Sequence, residues 1–144
     1  MDADARARPD EKVIRYSGDA SSLEPRQLRG GFFEGWSSRP DAERHLRILR
    51  GSDHVVVALD GDQVVGFVTA ITDGVLAAFI PLLEVLPAYR GRGIGTELMR
   101  RLLTELSSYP DIDLSCDAEL QPFYARLGMQ PGVGMYIREP NRWR

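Results

Sequence analysis

The run Arg90-Gly91-Arg92-Gly93-Ile94-Gly95-Thr96 carries the most chemistry in this chain. It is basic and rich in glycine. An apolar stretch ending Val85-Leu86-Pro87 leads into it, and an amphipathic stretch follows at once. Strand, glycine loop and helix in that order make a cradle for phosphate. Glycines remove the side chains that would block close approach, and the first N–H groups of the helix face the anion. Three phosphate motifs compete for this run. A P-loop needs Gly-Lys-Ser/Thr, and no lysine precedes Thr96. A dinucleotide fingerprint needs glycine at its first, third and sixth positions; Gly91 and Gly93 fit, but the sixth position is Thr96. That fingerprint also belongs to an early βαβ unit, whereas this loop lies late in the chain. The third motif is a loop for an acyl-CoA pyrophosphate.

The elements that must position this loop follow from pattern. Residues 13–16 read as a first strand. Ser21 or Ser22 can cap a short helix, with Glu24 closing a capping box and Pro25 in the first turn; Gly30-Gly31 stops it. Ser38-Arg39-Pro40-Asp41 opens a second helix that runs to Gly51, with Ala42, Leu46 and Leu49 on its apolar face. Residues 54–59 and 63–72 are strands joined by the turn Asp60-Gly61-Asp62, and Asp73-Gly74 marks the next turn. Residues 75–86 form a long strand that contains Pro81. Proline cannot donate to a sheet ladder, so Pro81 belongs at an edge or a bulge. A helix over 93–108, a strand over 112–116, a short helix over 119–127 and a last strand over 135–138 complete the chain. The order is β-α-α-β-β-β-α-β-α-β. The expected architecture is α/β, with a mixed, mostly antiparallel sheet covered by helices on both faces.

Bulk properties narrow the class. The 144 residues suit one domain, with 1–11 as a charged tail that has no apolar signal-peptide core and 12–144 as the folded unit. Net charge is −3, so no electrostatic footprint for nucleic acid is visible. Apolar runs are too short for a membrane-spanning helix. Cys116 is the only cysteine, which excludes a disulfide framework and a cysteine-based zinc site and suits a reducing cytoplasm. No metal is expected.

The loop Arg90-x-x-Gly93-x-Gly95 resembles the Arg/Gln-x-x-Gly-x-Gly/Ala signature of the GNAT superfamily of N-acetyltransferases. Its context is similar too: Val85-x-Pro87 precedes it, a long helix follows, and Pro122-Phe123-Tyr124-Ala125-Arg126-Leu127-Gly128-Met129 resembles the family's Phe-Tyr-x-x-x-Gly-Phe segment. The resemblance spans roughly residues 13–138. It implies that acetyl-CoA is the co-substrate and that the acceptor is a primary amine on a small molecule or peptide. It also implies a bulge in the fourth strand, which splays from the fifth to admit the pantetheine arm. Backbone groups of Leu83, Glu84 and Val85 would pair with that arm. N–H groups of Arg90, Gly91, Arg92, Gly93, Ile94, Gly95 and Thr96 would hold the pyrophosphate, with a charged contact from Arg90 or Arg92.

The same resemblance assigns candidate chemistry. Tyr124 matches the tyrosine beside the CoA sulfur, and Phe123 flanks it. A phenol with a pKa of roughly 10 stays protonated beside a thiol of about 8.5, so it can act as general acid. Glu84, beside the bulge among apolar neighbours, is a candidate base, and a water relay is the alternative. Asp117 follows the fifth strand and could hold a water or the pantetheine. Phe33, Glu34 and Trp36 lie in the link from which the family builds its acceptor pocket; packing in the core is the alternative for the aromatics. Asp73 is a further acceptor-site acid to consider. His45 and His54 read as solvated or capping residues. Arg100 and Arg101 read as a solvated face that could also meet the 3′-phosphate. Trp143 and the last strand offer surfaces for a homodimer, which the family often forms. An acetyltransferase is the leading reading. A non-catalytic CoA-binding or regulatory module is the alternative from another class, and a nucleotide binder is a third, disfavoured by the missing lysine and sixth glycine.

Overall fold

The computed structural model describes residues 13–142. The expected tail, 1–11, and Trp143 lie outside the described residues. Five strands form one sheet in chain order: β1 (Ile14–Ser17), β2 (His54–Asp60), β3 (Gln63–Thr72), β4 (Ala77–Val85) and β5 (Asp111–Asp113). Neighbours from β1 to β4 run antiparallel, and β5 runs parallel to β4. The α-helices are α1 (Ala42–Gly51), α2 (Ile94–Glu105) and α3 (Gln121–Ala125). This is the expected mixed, mostly antiparallel α/β architecture.

Adjacent residues of a strand point to opposite faces, and in β3 they meet different helices. A Cβ on Gly66 would lie 3.1 Å from Leu98 Cδ1 and 3.3 Å from Ile94 Cγ2 of α2. The absence of that atom lets α2 settle close to the sheet. Phe67, on the other face, has its ring centroid 4.4 Å from that of His45 in α1. α2 buries Ile94, Leu98, Met99 and Leu102 against its side, and each such side chain contributes roughly 1.5–3 kcal/mol. The helix that follows the glycine loop is therefore held firmly, and the loop is fixed at its downstream end.

The β3–β4 register places the bulge. Thr69 pairs with Leu82 and Ile71 with Phe79, so Ile80 and Pro81 together stand opposite Ala70. The ladder is interrupted where proline has no N–H to give. On the other side of β4, pairing with β5 runs only from Ala77↔Asp111 to Phe79↔Asp113. Past that point β4 continues to Val85 without a ladder partner on its β5 side. The splay that the family resemblance implies is thus present, and it begins at the bulge.

Six expectations change. The helix after Ser21 is a single 3-10 turn, Pro25–Leu28; its cap is Glu24, whose N–H donates to Gln27 Oε1 at 2.8 Å, while the Ser21 N–H donates to Asp19 Oδ1. Gly30-Gly31 follows too soon for more. The fifth strand and the last helix are shorter than expected, and Gly51 falls inside α1. No strand forms over 135–138: the alternation of Met135, Tyr136 and Ile137 is real, but no sheet edge among the described residues pairs with it. His45 is buried, at 1% exposure, among Phe32, Phe33 and Phe67. Its apolar surroundings come from distant segments, which a helix pattern does not reveal.

Candidate active site

α2 begins at Gly93, whose φ of 79° is left-handed and whose position has no atom within 4 Å of a would-be Cβ. Gly91 has the same character at φ 76°. The N–H groups of the first turn have no intrahelical acceptor, and no side chain among the described residues caps them. The first bond of the helix is Glu97 N–H to the Gly93 carbonyl at 3.1 Å. The amides of Ile94, Gly95 and Thr96 therefore stand without an intrahelical acceptor at the positive end of the helix dipole. The Ile94 side chain itself is buried, so it contributes backbone only. A Cβ on Gly95 would meet Phe123 Cζ at 3.7 Å and Val85 Cγ2 at 3.8 Å. Three of the predicted elements, the loop, β4 and the Phe-Tyr segment, thus converge at one point.

The loop is fixed upstream by contacts that the sequence did not show. The Tyr89 hydroxyl donates to Asp60 at the end of β2, and the Arg92 guanidinium lies 5.1 Å from the Tyr89 ring centroid. Arg90 Nε donates to the Val85 carbonyl at 3.1 Å, so this arginine secures the strand-to-loop join. Asp60-Gly61 reads from sequence only as a turn, and its partner lies 29 residues away. Arg100 and Arg101 both pair with Glu97 at 2.9 Å, and Arg101 stacks on Tyr16.

Glu84 is half-buried opposite Phe67, on the α1 face. Its carboxylate accepts the Phe33 N–H at 2.9 and 3.2 Å. Burial pushes its pKa up; the Phe33 bond and Arg90 pull it back, and Glu34 adds a push. Phe33 holds φ 65°, and among the described residues it is the one non-glycine with positive φ. Such backbone costs on the order of 1–3 kcal/mol and gathers at functional sites; here it aims an N–H at a carboxylate. The Phe33 side chain is 1% exposed and packs on His45, Phe67 and Trp36. It belongs to the core, so its expected place on the acceptor wall is corrected to a backbone role. Trp36, 46% exposed, and exposed Glu34 do reach the surface beside it.

Tyr124 sits on α3, half-buried, its ring 5.0 Å from Phe123 in an edge arrangement. Burial raises its pKa, and Cys116 adds to the rise. No described residue hydrogen-bonds its hydroxyl. Asp117 caps the 3-10 turn before α3 and is exposed, without a side-chain cap bond. Asp73 is used otherwise: its Oδ1 accepts N–H bonds from Val75, Leu76 and Ala77, which closes the β3–β4 turn and lowers its pKa. His54 pairs with Glu105 Oε2 at 3.2 Å, away from the loop. Among the described residues no group of three or more His, Cys, Asp or Glu could hold a metal ion.

The model of the acetyltransferase (GNAT) family matches residues 23–129. The chain belongs to the GNAT acetyltransferase family. A candidate acetyltransferase from Deinococcus radiodurans R1 is 46% identical, with a TM-score of 0.85 over 89% of this chain and 90% of that one. A GNAT family protein from Streptococcus pneumoniae TIGR4 is 25% identical, with a TM-score of 0.70 over 88% and 100%. An aminoglycoside acetyltransferase from a soil metagenome, solved with sisomicin, shares the fold at 22% identity and a TM-score of 0.61 over 88% and 95%. A comparison with curated proteins gives no match. GNAT proteins generally use acetyl-CoA, and the family places this chain among the acyltransferases. No helix among the described residues is long and apolar enough to cross a membrane.

Proposed function

We propose that this protein is an N-acetyltransferase that moves an acetyl group from acetyl-CoA directly to a primary amine of a small molecule or peptide. The observation that carries the reading is the divergence of β4 from β5 past Phe79, in a chain whose uncapped α2 terminus meets β4 and the Phe-Tyr segment at Gly95. The residues fit the ligand. Amides without an intrahelical acceptor at a helix N-terminus suit a pyrophosphate, and the stretch Leu83, Glu84 and Val85, paired with β3 but not with β5, is the part of β4 that suits the amides of a pantetheine chain. Exposed Asp117, beyond the paired part of β5, is assigned to the same ligand. Arg92 rather than Arg90 is the freer cation of the loop, because Arg90 already serves the Val85 carbonyl.

When bound, acetyl-CoA supplies the thioester that an amine attacks. The chain's own groups manage two protons. Tyr124 keeps its proton, since burial raises its pKa, and no described residue accepts it; it donates to the departing sulfur. Glu84 takes the proton of the incoming ammonium, directly or through a water. Its raised pKa brings it nearer the operating range of a base. Activity then falls as pH drops through that raised value, and Glu84→Gln removes this acid limb from the kcat/KM profile. An unshifted profile in Glu84→Gln would take Glu84 out of the mechanism. Single Cys116, unbridged, supports a reducing, cytoplasmic setting. Thiol release from acetyl-CoA against a panel of polyamines, aminoglycosides, amino acids and peptides tests the function. Release with at least one amine is expected. CoA binding without release on any amine would instead mark a binding module.

A further inference from the structure

Asp60 closes β2 at a firmly braced turn. It pairs with Ile14 of β1 on one side and with Gln63 of β3 on the other. The Arg15 guanidinium donates to the Gly61 carbonyl at 3.2 Å, Gln27 Nε2 donates to the Asp62 carbonyl at 3.0 Å, and Arg26 pairs with the Asp62 carboxylate. From this turn a contact crosses to the glycine loop, where the Tyr89 hydroxyl donates to the Asp60 carboxylate. That bond pushes the phenol pKa up, so the hydroxyl stays a donor. Tyr89 is held from its own side as well. It ends the 3-10 turn Pro87–Tyr89, and its N–H donates to the Leu86 carbonyl at 2.9 Å. The ring is thus fixed at its backbone and at its tip. Arg92 is the opposite case. It is exposed and stands between Gly91 and Gly93, both at left-handed φ. No ion pair among the described residues includes it. Its guanidinium lies 5.1 Å from the Tyr89 ring centroid, inside the reach of about 6 Å for a cation–π contact.

We propose that Tyr89 is a positioning residue for the donor's pyrophosphate: tethered to Asp60, its ring holds the Arg92 guanidinium in place before the anion arrives. The proposal rests on the assignment of acetyl-CoA to this loop. A free arginine gives up much of its rotamer freedom when it grips a phosphate, and a preset one gives up less. Stacking uses the flat face of the guanidinium and leaves its N–H edge for phosphate oxygens. The tether gives a use to tyrosine at this position, since phenylalanine offers the same ring without the fixed tip. The loop then divides its two arginines. Arg90 secures the strand-to-loop join through the Val85 carbonyl, and Arg92 is kept for the ligand.

Calorimetry with CoA on the wild type, Tyr89→Phe, Arg92→Ala and the double variant tests this. Arg92→Ala loses a charge-assisted phosphate contact, so its affinity is expected to fall roughly 10- to 100-fold. Tyr89→Phe is expected to bind roughly 2- to 5-fold more weakly, the worth of an exposed cation–π contact. In the Arg92→Ala background Tyr89→Phe should cost nothing further, because the group it positions is gone. A tyrosine that merely supports the loop backbone would instead weaken binding by the same factor in both backgrounds. Equal affinity of Tyr89→Phe and wild type, or the same fold-loss with and without Arg92, would overturn the proposal while CoA binding stands. A wild type that binds no CoA would overturn the proposed function and this proposal together.

Discussion

α1 and α2 begin in opposite ways. At α1, Asp41 caps the helix: its side chain accepts the Arg44 N–H at 2.8 Å, and its carbonyl accepts the His45 N–H at 2.8 Å. At α2, a left-handed glycine opens the helix and no side chain among the described residues caps it. Capping with Ser, Thr, Asp or Asn is worth typically about 1 kcal/mol over alanine, so α2 forgoes stability that α1 takes. The two ends also differ in what lies beside them. α1 starts next to a closed aromatic core, and α2 starts where β4 has parted from β5. On the proposed function, the contrast separates an end made for the fold from an end kept open for an anion.

The largest expected effect probes chemistry next to the open end. Tyr124→Phe keeps the ring and removes the proton donor, so kcat should fall about 10²- to 10⁴-fold. CoA affinity, measured by calorimetry, should stay unchanged, because the proposed function assigns binding to the loop. An unchanged kcat would remove the hydroxyl from the mechanism.

Next comes the closed side. Burial lowers the His45 pKa to about 4, and its Nε2 has no hydrogen-bond partner among the described residues. The ring is therefore neutral in the fold. Stability from this residue is fully present above the unfolded value near 6.5 and is lost as pH falls toward 4. At 1.36 kcal/mol per pKa unit, the loss approaches roughly 3 kcal/mol. Urea unfolding at pH 7 and at pH 4 should show it, and His45→Phe should shrink the difference by that amount. Equal slopes in the two proteins would contradict the burial account.

A carboxylate at the open end would make α2 resemble α1. Gly93→Asp is tolerable in a left-handed residue, since aspartate is among the few that visit that region. It sets like charge against a pyrophosphate, which costs several kcal/mol, so CoA affinity should drop by on the order of 10²-fold. Full affinity in this variant would place the pyrophosphate elsewhere.

The smallest effects swap the two ends' priorities. Asp41→Ala should lower stability by about 1 kcal/mol and leave kcat/KM alone. Gly95→Ala meets only ordinary contacts and should add up to about 1 kcal/mol, as alanine exceeds glycine in a helix. Thermal and denaturant unfolding check both; a stability change of opposite sign in either would break the contrast.

Much of this was legible in sequence, and for physical reasons. Pro81 narrowed its own place to an edge or a bulge because it lacks an N–H, and the β3–β4 register decides for the bulge; the apolar face of α2 announced its docking. The residues that tertiary contacts decide were not legible. Gly66 has meaning only once Leu98 and Ile94 press on it. Phe33 looks like an aromatic for a pocket, yet its side chain is core and its backbone N–H meets Glu84, 51 residues on. His45 was misjudged because Phe32, Phe33 and Phe67 come from other segments. The strand expected at 135–138 had the right alternation and no partner among the described residues.

The most direct measurement is amide NMR during a CoA titration. The account predicts that the N–H resonances of Gly91, Gly93, Ile94, Gly95 and Thr96 shift and gain protection from exchange, while those of Arg44 and His45 at the start of α1 stay put. Saturating CoA that leaves the α2 amides unmoved would contradict it.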